Sequence, residues 1–207
     1  MPIMDYDLYI FDWDGTLSTS TSLVRASTFM KNRYNVDYIK KHPDEFNIKK
    51  RKSTRKPWLS RTYSYIYDVY AKLSQPRLQP GALETIDKLR AMHKKIAIFS
   101  DSNSYRLMAE ARTLGIIGKV DLIVSSDAIN YYKPNPEGLL IIIDRFKARK
   151  SKSIYIGDMA SDILTARFAN IASCCVGNGV HAAEFLKKVG PDYLYRNLVD
   201  MGKALKK

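Results

Sequence analysis

The chain has 207 residues, of which 45% are apolar and 27% are charged, a composition typical of a globular protein with one core and at most a small appended unit. The longest apolar run, Leu139 to Ile143, is far shorter than the ~18 residues that a membrane span needs, and the N-terminus lacks the pattern of a secretory signal. The formal net charge is +13, and residues 18–79 hold 14 Lys and Arg against only 4 Asp and Glu, which predicts an anionic ligand or partner for that segment.

The predicted elements begin with an apolar strand that ends at Asp12, followed by the basic segment 18–79, in which helices are predicted at 20–34 and 57–73. From residue 80 onward, strands and helices alternate. Strands are predicted within 95–102, 120–127, 153–160 and 173–179, and helices at 82–93, 104–115, 135–150 and 161–170. Such alternation predicts an α/β fold: a Rossmann-like parallel sheet flanked by helices, formed by residues 1–17 and 80–207, with residues 18–79 inserted as a small α-helical cap after the first strand.

Two stretches of the core need a separate argument. Five consecutive branched apolar residues within 135–150 suit either a buried strand or a helix, but Asn135 suits an N-cap and Pro136 the first helical position, which favours a helix. The adjacent Cys174 and Cys175 have neither a zinc-site spacing nor a disulfide framework. We therefore expect them to be small core residues in a reducing, cytoplasmic setting.

Polar side chains of particular kinds follow the predicted strands of the core. They are Asp12, Asp14 and Thr16 after the first strand, Ser100 after the second, Lys133 before a Pro-Asn-Pro turn, and Gly157, Asp158 and Asp162 after the strand within 153–160. Ligands of such folds bind beyond the carboxyl ends of the strands, so we expect these side chains to converge. Several carboxylates suit a Mg²⁺ ion, and a lysine and a hydroxyl suit a phosphoryl group.

Four stretches, FDWDGTL, IAIFSDS, YYKPNPEGL and IGDMASD, resemble the four signatures of the haloacid dehalogenase superfamily and occur in the same order. PGALETIDKLR and LGIIGKVDLIVSSD are similar to the phosphoglycolate-phosphatase-like branch of that superfamily. The separation of 88 positions between Asp12 and Ser100 leaves room for the helical cap of that branch. Thr19 stands where the branch more often has an acid, and His93 where it commonly has a glycine.

The resemblance implies a catalytic role for each carboxylate of the first signature. Asp12 is implied to be the nucleophile, which forms an aspartyl-phosphate, and Asp14 to be the general acid and then the general base. The carboxylates of Asp12 and Asp158 and the backbone carbonyl of Asp14 are implied to hold Mg²⁺. An acid at the position of Asp14 favours phosphoryl transfer over dehalogenation.

The resemblance also implies how phosphate is held. Ser100 and Lys133 are implied to bind the phosphoryl oxygens, and Asp101 replaces a more usual asparagine beside them, where we expect it to contact phosphate or leaving group. The remaining implied roles belong to Thr16, which would orient Asp14, and to Gly157 and Asp162, which would support the metal site or Lys133.

The function implied is a Mg²⁺-dependent phosphatase acting on a small phosphorylated metabolite, with phosphoglycolate as the first candidate. A sugar-phosphate mutase of the same superfamily is an alternative. The basic run at 49–56 leaves a nucleic-acid-binding or end-processing protein open as well, although a solvated loop is the simpler interpretation. Arg25, Lys31 and Arg33 are candidates to contact substrate; the sequence predicts no membrane partner and does not determine the oligomeric state.

Overall fold

A computed structural model describes residues 1–19, 65, 66, 69, 70, 73, 75–177, 179 and 181–205. Within these residues a six-stranded sheet has the order β3-β2-β1-β4-β5-β6, and every neighbouring pair is parallel. The strands are β1 (Leu8–Phe11), β2 (Lys95–Phe99), β3 (Leu122–Val124), β4 (Ser153–Gly157), β5 (Ala172–Val176) and β6 (Tyr193–Tyr195). The predicted α/β fold with a Rossmann-like parallel sheet is confirmed.

The described α-helices lie between and after these strands. They are α1 (Ala82–Ala91), α2 (Ser104–Thr113), α3 (Glu137–Phe146), α4 (Ala160–Ala169), α5 (Ala183–Val189) and α6 (Leu198–Ala204). The helix prediction for 135–150 is confirmed, but α3 begins at Glu137, with Pro136 at the N-cap position. Asn135 precedes the N-cap by one residue, and its Oδ1 accepts the backbone N–H of Glu137, the first residue of the helix, at 2.9 Å.

Both faces of the sheet are covered, because alternate residues of each strand point to opposite sides. In β1, Tyr9 and Phe11 pack with α1, α2 and α6, whereas Leu8 and Ile10 pack with α3 and α4. Burying one such side chain completely stabilises the fold by about 1.5–3 kcal/mol. Cys174 and Cys175 are free and buried in β5, which confirms their prediction as core residues.

The two ends of the basic segment meet beside β1. Ser18 forms an antiparallel bridge with Leu78. The backbone N–H of Thr19 donates to the carbonyl of Arg77, and that of Gln79 to the carbonyl of Leu17, each at 2.8 Å. The chain therefore leaves and re-enters the core at one place, as an insertion requires.

The helix predicted at 20–34, most of that at 57–73, the basic run 49–56, and Arg25, Lys31 and Arg33 lie outside the described residues. The five described residues between 65 and 73 are helical. The division into core and cap stays a prediction. None of the helices that the structure describes is long and apolar enough to cross a membrane.

Candidate active site

The register of the sheet brings the predicted site residues to one edge. Phe11, the last residue of β1, is aligned with Ile98 of β2 and Ile156 of β4. The backbone N–H of Asp12 donates to the carbonyl of Ile156 at 2.8 Å, so Asp12 continues the same register. The residues that follow β1, β2 and β4 consequently lie next to one another, as the sequence predicts.

Lys133 reaches this edge from the loop before α3. Its Nζ donates to Oδ1 of Asp12 at 2.7 Å, to Oδ1 of Asp162 at 2.8 Å and to the hydroxyl of Tyr155 at 3.0 Å. Burial alone would lower the pKa of Lys133, but the carboxylates of Asp12 and Asp162 outweigh it and raise this pKa well above its ordinary value. The ammonium therefore stays charged beside Asp12.

Three buried carboxylates lie together at this edge, and two of them, Asp12 and Asp162, contact the ammonium of Lys133. Oxygens of Asp12, Asp158 and Asp162 all lie within 4.8 Å of one another. Burial raises the pKa of Asp12 well above its ordinary value; Lys133 opposes that shift, while Asp162 and Asp158 add to it. The site thus holds more negative charge than Lys133 neutralises, and its hard oxygen donors fit a Mg²⁺ ion.

Donors of the protein occupy both oxygens of the third carboxylate, Asp162. Its Oδ1 accepts from Lys133 and from the hydroxyl of Tyr155, and its Oδ2 accepts the backbone N–H groups of Asp158 and Met159 at 3.1 and 2.9 Å. In contrast, Oδ2 of Asp12 accepts no hydrogen bond from the part of the chain that the structure describes. Asp162 is therefore suited to hold Lys133 and the loop that carries Asp158 in place. Asp12, in contrast, is suited to react.

The loop after β1 lies against Asp158. The hydroxyl of Thr16 donates to Oδ1 of Asp158 at 3.2 Å, and its role in orienting Asp14 stays a prediction. Gly15 has φ +87°, and a Cβ there would lie 2.3 Å from Oδ2 of Asp158. A Cβ at Gly157 would lie equally close, 2.3 Å, to Oδ2 of Asp162. Both glycines let a carboxylate approach the backbone closely.

The loop after β2 presents Ser100 and Asp101. Ser100 is buried, and its Oγ accepts the backbone N–H of Ser102 at 3.1 Å. Asp101 accepts the backbone N–H of Lys133 at 3.2 Å, so its carboxylate fastens the Lys133 loop to the loop after β2. The predicted contacts of Ser100, Asp101 and Lys133 with substrate stay predictions.

Asp14 is held by residues that the sequence analysis did not identify. Arg106 donates through Nη2 to Oδ1 of Asp14 at 2.5 Å and through Nη1 to Oδ2 at 3.1 Å. Its Nε donates to Oε1 of Glu110 at 2.8 Å, and Oε2 of Glu110 accepts the indole N–H of Trp13 at 2.7 Å. Burial would lower the pKa of Arg106, but Asp14 and Glu110 raise it above its ordinary value.

The sequence does carry signals for the residues that were missed. Glu110 lies between Leu107 and Leu114 on the apolar side of α2, where a charged residue needs a partner, and Arg106 precedes it by four positions. Tyr155 is the one hydroxyl-bearing residue in the interior of the apolar strand β4. Polar groups in such positions indicate a buried interaction but do not name its partner.

Comparisons with known proteins agree with this geometry. The family model for haloacid dehalogenase-like hydrolases matches residues 9–176. Pyrophosphatase PpaX of Halalkalibacterium halodurans is 27% identical over 96% of this chain and 96% of its own length. A phosphoglycolate phosphatase of Nitrosococcus oceani is 28% identical over 62% of this chain and 57% of its own length.

Solved structures share the fold. CbbY of Rhodobacter sphaeroides, crystallised with phosphate, has a TM-score of 0.70 at 16% identity and covers 97% of this chain and 99% of its own. The family match spans most of the chain and contains Asp12, Asp14, Lys133 and Asp158. The chain belongs to the haloacid dehalogenase-like hydrolase family.

Proposed function

We propose that this hydrolase is a Mg²⁺-dependent phosphatase that cleaves a small phosphate monoester through a phosphorylated Asp12. The observation that carries the proposal is the buried carboxylate of Asp12, 2.7 Å from Nζ of Lys133 and within 4.8 Å of oxygens of Asp158 and Asp162. A carboxylate in such a place can attack phosphorus while the ammonium offsets the negative charge of the arriving phosphoryl group.

In the first step, an oxygen of Asp12 attacks phosphorus, and the bond between phosphorus and the leaving oxygen breaks. Asp14 donates a proton to that oxygen, so the leaving group departs as an alcohol. In the second step, Asp14 takes a proton from a water molecule that attacks the phosphoryl group. Phosphate is released and the Asp12 carboxylate is restored.

Ser100 and Lys133 bind the phosphoryl oxygens in both steps. Mg²⁺, held by the carboxylates of Asp12 and Asp158 and the backbone carbonyl of Asp14, supplies further neutralisation of phosphoryl charge when bound. Asp162 keeps Lys133 in place, and Thr16 keeps Asp158 in place. The nearly complete burial of Asp12 and Asp158 limits the access of bulk water to the reacting atoms.

Phosphoglycolate is the first substrate to test, and pyrophosphate is the second. The phosphoglycolate phosphatase relative matches over part of this chain, and the pyrophosphatase relative matches over nearly all of it. Both compounds are small anions, and the basic segment 18–79, which we propose to be the cap, has the charge to attract them. A cytoplasmic setting is part of the proposal, since phosphorylated metabolites are found there and both cysteines are free.

The nucleophile is tested with Asp12→Asn and p-nitrophenyl phosphate. An amide cannot attack phosphorus, so we expect hydrolysis to fall by at least about 1,000-fold. Asp144→Asn, which changes an exposed carboxylate on α3, is the matched control and should keep full activity. Removing divalent ions with EDTA should abolish the wild-type activity, and added MgCl₂ should restore it.

Several outcomes would contradict the proposal. Activity retained by Asp12→Asn would exclude Asp12 as the nucleophile, and activity that is insensitive to EDTA would exclude the metal. Isomerisation of glucose 1-phosphate without release of phosphate would instead support a sugar-phosphate mutase. Salt-sensitive binding of DNA or RNA that is lost on neutralising residues 49–56 would favour the nucleic-acid alternative.

A further inference from the structure

Arg106 forms ion pairs with two carboxylates that differ in their exposure to solvent. Glu110 is a buried partner whose side chain is only 1% exposed, whereas the side chains of Arg106 and Asp14 are 11% and 16% exposed. Glu110 is also fixed from its other side by the indole N–H of Trp13. The pair of Arg106 with Glu110 is therefore a lasting part of the fold, and Asp14 is the partner that solvent or a ligand can reach.

Arg106 also lies next to the loop that we propose to bind phosphate. Its Nη1 donates to Oγ of Ser102 at 2.8 Å, and the backbone N–H of Ser102 donates to Oγ of Ser100 at 3.1 Å. The guanidinium is thus separated from Ser100 by one residue. A small substrate whose phosphoryl group contacts Ser100 would therefore lie close to the guanidinium of Arg106.

The hydrogen bonds of Asp14 conflict with its proposed role as the general acid. Its Oδ1 accepts from Nη2 of Arg106, and its Oδ2 accepts from Nη1 and from the hydroxyl of Ser102, the latter at 2.9 Å. Donors thus occupy both oxygens, whereas a general acid needs one oxygen that carries a proton and faces the leaving group. Asp14 has to leave Arg106 before it can act in the first step.

We infer that Arg106 binds a second anionic group on the substrate, a carboxylate or a phosphate of the leaving group, in exchange for Asp14. This inference rests on the proposed phosphatase function. Arg106 keeps Glu110 during the exchange, so the substrate's anion replaces one carboxylate with another and no buried charge is left alone. The two parallel N–H donors that now hold Asp14 fit a planar carboxylate or a phosphate equally well.

The exchange makes Arg106 a specificity-determining residue. A substrate with an anionic leaving group would both occupy Arg106 and release Asp14 for proton transfer. A phosphate ester with a neutral leaving group of the same size would bind through its phosphoryl group alone and leave Asp14 paired. The enzyme would therefore prefer small phosphate compounds that carry a second negative charge.

The test compares phosphoglycolate with carbamoylmethyl phosphate, its neutral amide, which has nearly the same shape. A second arm compares pyrophosphate with methyl phosphate and distinguishes a phosphate ligand of Arg106 from a carboxylate ligand. For the wild type we expect kcat/KM to be higher for the anionic member of at least one pair. In Arg106→Gln that preference should fall by about 10- to 100-fold, the usual worth of a hydrogen-bonded charge pair.

Matched variants separate this effect from damage to the fold. Arg106→Gln leaves Glu110 buried without its cation, so the double variant Arg106→Gln, Glu110→Gln removes both charges while the new amide can still accept from Trp13. Both variants should lose the preference, and Arg106→Lys should keep only part of it. Arg145→Gln, an exposed arginine on α3, should keep the wild-type preference.

The outcomes distinguish this inference from the proposed function. An equal preference in the wild type and in both neutral variants overturns the role of Arg106, even when Asp12→Asn is inactive. A wild type that does not discriminate within either pair overturns it as well. Hydrolysis that does not depend on Asp12 overturns the proposed function, and the inference with it.

Discussion

Gly15 shows how a single absent side chain shapes the proposed metal site. A Cβ at this position would lie 2.3 Å from Oδ2 of Asp158, and the backbone has φ +87°. Gly118 has nearly the same backbone, φ +89°, but a Cβ there meets no atom within 4 Å. A substitution at either glycine would therefore strain the backbone, but only a substitution at Gly15 would also clash with Asp158.

We predict that Gly15→Ala impairs catalysis and that Gly118→Ala does not. Alanine at position 15 would push the Asp158 carboxylate away from Asp12, so more Mg²⁺ should be needed for half-maximal activity. Both variants should lose about 1–2 kcal/mol of unfolding free energy, because both place an alanine in the left-handed region. Mg²⁺ titrations of activity and urea unfolding measure the two effects. Equal activity losses in both variants would attribute the effect to the backbone instead.

Individual residues of the candidate site were predictable to very different degrees. The structure brings Asp12, Lys133 and Asp158 together as predicted, because each follows a strand or a turn at the same edge of a parallel sheet. The contacts of Arg106 depend on how α2 rotates toward a carboxylate 92 residues earlier in the chain. Pairing at such a distance follows from packing, and no local pattern encodes it.

The elements show the same division between local and distant causes. Strands β1, β2 and β4 were predictable because each is an apolar run that ends in a polar turn, with buried residues on both faces. The last three elements, α5, β6 and α6, were not predicted. They have seven, three and seven residues, too few to repeat a helical or alternating pattern clearly, and they form through packing on β5 and α1.

The end of α1 offers a test of local conformation. His93 follows this helix with φ +54°, in the left-handed region that most side chains disfavour, at a position where the resemblance indicates a common glycine. We predict that His93→Gly raises the unfolding free energy by up to about 1 kcal/mol, because glycine adopts this conformation without a Cβ clash.

Asn170, which follows α4 with φ +58°, is the matched control for that change. Asparagine tolerates the left-handed region better than histidine, so Asn170→Gly should alter stability less than His93→Gly. Thermal and urea unfolding measure both variants. A loss of stability in His93→Gly would mean that the greater freedom of glycine in the unfolded chain outweighs the relief of strain.

At the scale of the whole molecule, positive charge is concentrated in one segment of the chain. Residues 18–79 hold most of the excess positive charge, whereas the described hydrophobic clusters contain no residue between 20 and 74. Of the described residues in that interval, Tyr65, Ile66, Val69 and Leu73 are exposed. The described apolar contacts of the core therefore come from residues outside 20–74.

We predict that the core folds without the insertion but loses the part of its preference for a second anionic group that the basic segment supplies. Thr19 and Arg77 are already hydrogen-bonded at 2.8 Å, so a short glycine-serine linker can replace residues 20–74 without straining the core. The variant should keep an α/β circular dichroism spectrum and unfold cooperatively. Its kcat/KM for phosphoglycolate should fall by about 10-fold or more relative to that for p-nitrophenyl phosphate, because the attraction of the basic segment is gone.

Added salt provides the control for this electrostatic explanation. Salt screens the attraction, so kcat/KM for phosphoglycolate should fall with ionic strength in the full chain and change little in the shortened one. A shortened chain that fails to fold would show that the core depends on the insertion and would refute the division at residues 18–79. A folded variant with an unchanged preference and the same salt dependence would show instead that the core residues, Arg106 among them, select the anionic substrate without help from the basic segment.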